Sequence, residues 1–96
     1  MYARVARFTG ADAEAVAKSV SDIDSQPGPP EGVPAKQLTF MYDESSSTVV
    51  AIVLFDTEED MRKGDEVLSA MDPPSGPVGT RASVDLCEVK LEVKAP

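Results

Sequence analysis

The sequence predicts one small α+β domain in the order β-α-β-β-α-β. Two observations carry that prediction. Short runs rich in Val, Ile and aromatic residues with a period of two alternate with two longer stretches whose apolar residues recur at helical spacing. The chain has 96 residues, enough for one hydrophobic core and too few for two, so residues 1–96 are read as a single domain.

Tyr2 to Phe8 contains Val5 and two aromatics and stops at Thr9-Gly10, which reads as a first strand followed by a break. From Ala11 the pattern changes. Ala13, Val16, Ala17, Val20 and Ile23 recur on one helical face, with Asp12, Glu14, Lys18, Ser21 and Asp22 on the others. This amphipathic helix is expected to end near Asp24 or Ser25. Residues 26–34 hold four prolines and two glycines, which remove backbone donors and raise the entropy of ordering, so a loop is predicted.

Ala35 to Tyr42 alternates Leu38, Phe40 and Tyr42 with Gln37, Thr39 and Met41, the mark of a strand with one drier face. After Asp43-Glu-Ser-Ser-Ser47, Thr48 to Phe55 completes a hairpin. That strand is apolar on both sides, with Val50, Ile52 and Leu54 against Val49, Ala51, Val53 and Phe55, so both faces need cover. Two short helices can shield one face of a small sheet, and a second copy is the simplest cover for the other.

Asp56 to Asp60 opens a second helix, with Thr57 as N-cap and acidic residues in the first turn. Its buried stripe is predicted to be Met61, Gly64, Leu68 and Met71, and its Glu58–Arg62 and Glu59–Lys63 pairs lie on an exposed face. Residues 72–80 form a second Pro/Gly loop. Arg81 to Lys94 then reads as extended to the end, but its apolar side switches between Leu86 and Cys87. Either a bulge restores the phase or the strand passes into a different environment.

This order is the ferredoxin-like arrangement, an antiparallel sheet with two helices on one face. The opening Met-Tyr-Ala-Arg-Val-Ala-Arg-Phe8, the passage Phe55-Asp-Thr-Glu-Glu-Asp-Met-Arg-Lys-Gly64 and the closing Ser83-Val-Asp-Leu-Cys-Glu-Val89 resemble the antibiotic-biosynthesis-monooxygenase-like family of dimeric α+β barrels. The resemblance implies a homodimer whose sheets pack face to face, the last strand reaching toward the partner, and a cavity for a small, often aromatic, molecule. Some members of that family oxidise such a molecule with oxygen and no cofactor. The sequence departs from the family in lacking His, Trp and Asn, the residue types its catalytic members use for ligation, proton transfer and stacking.

Composition narrows the function classes. Hydrophobic residues make up 42% of the chain and aromatics 5%, so the core is aliphatic and thin, and a domain this small gains from added burial on assembly. A net charge of −8 with nine scattered Lys and Arg argues against nucleic acid and anionic membranes as partners. Met1 to Phe8 leads into Thr-Gly-Ala-Asp rather than an apolar run, so a cytoplasmic location is expected. With no His and one thiol, no transition-metal site and no cofactor are expected.

Candidate chemistry is sparse. Cys87 has no His to activate it and reads as a buried, inert thiol. The acids from Asp56 to Asp60 read as helix capping, and Gly76-Pro-Val-Gly79 as a turn. Arg4, Arg7 and Arg81 sit in strands, where an enclosed guanidinium needs a carboxylate or ligand. If Leu38, Phe40 and Tyr42 meet the helices, Gln37, Thr39 and Met41 point into the opposite space. They are the ligand-binding candidates, with Arg4 as polar anchor. The residues leave three readings: a small-molecule-binding homodimer without a catalytic constellation, a cofactor-independent monooxygenase or isomerase working through Tyr2, Tyr42 or an arginine, and a structural partner subunit.

Overall fold

The computed structural model describes residues 1–71, 75, 76 and 79–96. The elements run β1 (Tyr2–Thr9), α1 (Ala13–Asp24), β2 (Gln37–Asp43), β3 (Thr48–Phe55), α2 (Glu58–Met71), β4 (Ser75–Gly76) and β5 (Gly79–Glu88). The strands form one antiparallel sheet in the order β2-β3-β1-β5-β4. Four long strands and two helices make a small α+β fold compatible with the ferredoxin-like arrangement.

Strand register sorts the side chains. Across β2, β3, β1 and β5, one row runs Phe40, Ala51, Ala6, Val84 and the next Leu38, Val53, Arg4, Leu86. This face carries the core. One cluster joins Ala6, Phe8, Ala11, Val16 and Val49, and a second joins Val33, Val53, Phe55 and Met61, flanked by Val67, Leu68 and Leu86. Val16 belongs to α1, and Met61, Val67 and Leu68 to α2, so both helices cover the same face. The other face presents Ala3, Val5, Arg7, Val50, Ile52, Leu54, Gln37, Thr39, Met41 and Cys87, and among the described residues no helix packs on it. Val5, Val50, Ile52 and Leu54 are half-buried, and Met41 is exposed.

Local chemistry sets the helix limits. Asp12 caps α1, its carboxylate accepting from the Glu14 amide at 3.1 Å, and Pro27 follows its last turn. Thr57 caps α2 as its position predicts, its hydroxyl accepting from the Asp60 amide at 3.1 Å. Met61, Gly64 and Leu68 face the sheet; the fourth stripe residue, Met71, has a side chain outside the described part of the structure. Gly64 is required by space, since a Cβ there would lie 2.5 Å from the Phe55 ring.

The C-terminal third departs from the sequence reading. Residues 72–80, expected to be loop throughout, contain β4, and Gly79, with φ near 104°, pairs with Gly76; residues 72–74 and 77–78 of that expected loop lie outside the described residues. The irregularity in β5 does not fall at the apolar switch. It lies opposite Arg7 and Phe8, where Ser83 pairs with Arg7 and Arg81 with Phe8, leaving Ala82 as the extra residue. Pairing then runs unbroken from Ser83 to Glu88, followed by one bond from the Val89 amide to the Met1 carbonyl at 2.9 Å, so residues 90–94, expected to continue the strand, lie beyond the sheet. Leu91 and Val93 are each 79% exposed there.

Candidate functional site

The site begins with how α1 is seated. Val16, in its first half, is its buried residue, whereas Val20 and Ile23 remain 44% and 39% exposed. The second half of the helix therefore stands away from the sheet. The Pro-rich loop that follows returns to the fold through Val33, held between Phe55 and α2, and through Lys36, whose amide donates to the Leu54 carbonyl at 2.7 Å.

Between these parts lies a cavity of about 630 Å³ that opens to solvent, within the roughly 300–1,000 Å³ range of ligand pockets. Its floor is the helix-side face of the sheet, with Leu38 and Phe40 of β2, Ala51 and Val53 of β3, and Arg4 and Phe8 of β1. Leu68 of α2 closes one side. Ser19, Asp22, Ile23 and Asp24 of α1 and the 26–36 segment form the other. Leu38, on the drier face of its strand, is nevertheless 44% exposed, because α1 leaves this part of the floor uncovered.

Arg4 is the polar group of this apolar floor. It is 2% exposed, and its Nε donates to Asp65 Oδ1 at 2.9 Å. Its Nη2 donates to Ser69 Oγ at 3.4 Å, and Ser69 in turn donates to Asp65 Oδ1 at 3.2 Å. Asp65 and Ser69 stand one turn apart on α2, so the helix supplies a prearranged cradle for a strand guanidinium. A paired carboxylate is what an enclosed arginine requires.

The four sequence candidates do not form one group. Arg4 shares a row with Leu38 and Val53 on the helix side, while Gln37, Thr39 and Met41 belong to the opposite face, because side chains alternate along a strand and Arg4 and Leu38 share a parity. Arg4 thus anchors the helix-side cavity rather than the space those three face. Gln37 also contributes to the cavity lining, at the start of β2, although its side-chain amide donates to the Thr39 hydroxyl at 3.3 Å. Met41 lines a separate groove of about 280 Å³ with Arg7, Tyr42, Asp43 and Val50. The sequence reading passed over Asp65, for which a signal existed: it sits within the apolar stripe Met61, Gly64, Leu68 of α2, where a carboxylate needs a partner. Leu38 and Phe40 fall, as the alternation of β2 predicts, on its drier face, and nothing in their spacing shows that α1 leaves them open.

The remaining candidates are placed as follows. Cys87, expected buried, is a free thiol on the uncovered face, directly across from Ala3, and is exposed; its phase in β5 points it away from both helices. Tyr2 and Tyr42 are not in the lining of the larger cavity. Tyr2 donates to Glu88 Oε2 at 3.1 Å, and that hydrogen bond together with the negative charge of Glu88 holds the phenol above its ordinary pKa. Among the described residues, no group of three His, Cys, Asp or Glu side chains is arranged to hold a metal ion. No helix there is long and apolar enough to cross a membrane.

Compared with protein-family models, curated proteins and solved structures, the chain matches none.

Proposed function

We propose that the chain is a small-molecule-binding protein that acts as a homodimer, holding an apolar ligand between its sheet and α1. The observation that carries this reading is the cavity of about 630 Å³, apolar over its floor and provided with one buried, prearranged arginine. A few fixed polar groups in a mostly apolar concavity is the usual build of a ligand site. A purely structural subunit would be expected to fill that space. An oxidising or isomerising activity through Tyr2 or Tyr42 would need those hydroxyls at the ligand, and neither lines the cavity; the raised pKa of Tyr2 also leaves less of its phenolate form near neutral pH.

The dimer rests on the uncovered face. Four strands about 4.8 Å apart and seven residues long span roughly 19 by 23 Å in plan, less than the about 800 Å² that each partner contributes to a standard interface. The segment 89–94 would supply the rest, with Leu91 and Val93 as the apolar residues placed to do so. This assembly would match the face-to-face sheets of the monooxygenase-like dimeric barrels that the sequence resembles. The ligand reading is tested by screening a library of neutral and ionic small aromatics for thermal stabilisation and for shifts of the Leu38, Phe40 and Val53 amide resonances. Hits should move all three amides together; stabilisation without those shifts would place the ligand elsewhere.

A further inference from the structure

We infer that Asp65 sets the specificity of this cavity, making it select a neutral molecule bearing a hydrogen-bond acceptor, such as a ketone, over a carboxylate. The inference rests on the binding proposal above and goes beyond it in naming the ligand's chemistry. A buried arginine in an apolar pocket ordinarily marks an anion site, because the guanidinium fork matches a carboxylate. Here that charge is already offset. Asp65 Oδ1 lies 2.9 Å from Arg4 Nε, so the pair is close to neutral before any ligand enters.

The surroundings point the same way. Asp22 and Asp24 line the α1 side of the opening, and Lys36, also in the lining, is paired with Asp56 at 3.0 Å. The chain as a whole carries −8, so the field at the mouth repels anions. An acid entering would lose its hydration and meet no uncommitted cation, which is the costly case for a buried charge. A neutral acceptor avoids that cost. Arginine has five N–H donors; the bonds to Asp65 and Ser69 use one on Nε and one on Nη2, and a carbonyl oxygen can take one of the others while its apolar body lies on Leu38, Phe40 and Val53.

The test uses three molecules of nearly the same shape, acetylnaphthalene, isopropylnaphthalene and naphthoate, titrated at neutral pH against the full chain. Binding is followed by NMR at the Arg4 Nε–H and at the amides of Leu38, Phe40 and Val53. The ketone should bind about fivefold more tightly than the hydrocarbon, the size of one added hydrogen bond, and should move the Arg4 resonance, with naphthoate the weakest. In Asp65→Asn the uncompensated arginine should bring the ranking round, with naphthoate gaining about tenfold. Naphthoate equal to or tighter than the ketone in the wild type, or a ketone no tighter than the hydrocarbon, overturns the specificity while leaving the binding proposal in place. Failure of all three to move the cavity amides overturns both. Should Asp65→Asn not fold, as judged by circular dichroism, Asp65→Ser takes its place, and a folded variant in which naphthoate gains nothing removes Asp65 as the determinant.

Discussion

At Gly64 the helix and the sheet meet so closely that hydrogen is the largest substituent the position accepts. A Cβ there would stand 2.5 and 2.6 Å from two ring atoms of Phe55, and Phe55 is fully buried, so the ring has no solvent side to retreat into. Gly64→Ala is therefore expected to lower stability by about 1–3 kcal/mol through overpacking, despite the higher helix propensity of alanine. Gly28→Ala, with nothing within 4 Å of the new atom, should remain within about 0.5 kcal/mol of wild type. Urea unfolding of the two variants checks the contrast; equal midpoints would mean that α2 can shift to admit a methyl. Tyr2 offers a second residue-level test. Glu88 accepts its hydrogen bond and disfavours the phenolate, so its folded pKa lies above the unfolded value near 10. The stabilisation from this bond is present below the unfolded pKa and is lost as pH rises through the folded one. In a Tyr42→Phe background Tyr2 is the remaining tyrosine, and its ultraviolet titration should fall at higher pH than a free phenol. Adding Glu88→Gln should bring the midpoint back down, and an unmoved midpoint would remove Glu88 as the cause.

Among the elements, α1 is the one whose seat the sequence does not disclose. Its apolar period is genuine and its residues 13–24 are helical, yet of the stripe Ala13, Val16, Ala17, Val20 and Ile23 the sheet buries Val16 and leaves Val20 and Ile23 substantially exposed. Periodicity shows which side of a helix is apolar; it carries no information on how far along its length the helix stays in contact. β3 was legible for the opposite reason, since its limits follow from Ser47 and Asp56 on either side of an unbroken β-branched and apolar run. β5 was half legible. The extended run from Arg81 was readable, but the switch at Leu86/Cys87 marks no irregularity, since pairing with β1 continues through it to Glu88, and the bulge at Ala82 follows from that pairing, which no local pattern in β5 encodes. The cavity was invisible because it is the gap left by α1, while its arginine was visible as a strand cation in need of a carboxylate. These placements predict that Val16→Ala lowers stability by about 1–3 kcal/mol and Val20→Ala by less than about 0.5 kcal/mol. In native-state hydrogen exchange the amides of the second half of α1 should open before those of α2. Equal losses from the two valine substitutions would show that α1 lies flat in solution and that the cavity is closed.

For the molecule as a whole, the governing fact is that two helices cover one face of the sheet while, among the described residues, no element of the chain packs on the other. β3 makes the contrast within adjacent residues. Val53 is 6% exposed and packs with Phe55, Met61 and Val33 under the helices, whereas Ile52, beside Val5 and Thr39 in the register, belongs to the open face. An aspartate at 53 puts a charge into the core with no partner, which costs several kcal/mol, and Val53→Asp is expected to unfold the chain. An aspartate at 52 leaves that core untouched and charges the face proposed to meet a second copy, where burial at about 25 cal/mol per Å² is what holds association against its entropy cost. Ile52→Asp should therefore keep a folded circular dichroism spectrum yet run as a monomer by light scattering at micromolar concentration, while the wild type runs as a dimer. The same variant should leave binding in the helix-side cavity intact, because Ile52 lies on the far side of the sheet from Arg4. A wild type that is monomeric at that concentration, or an Ile52→Asp that remains dimeric, would place the second copy elsewhere or remove it, and the exposed Leu91 and Val93 would then need a different cover.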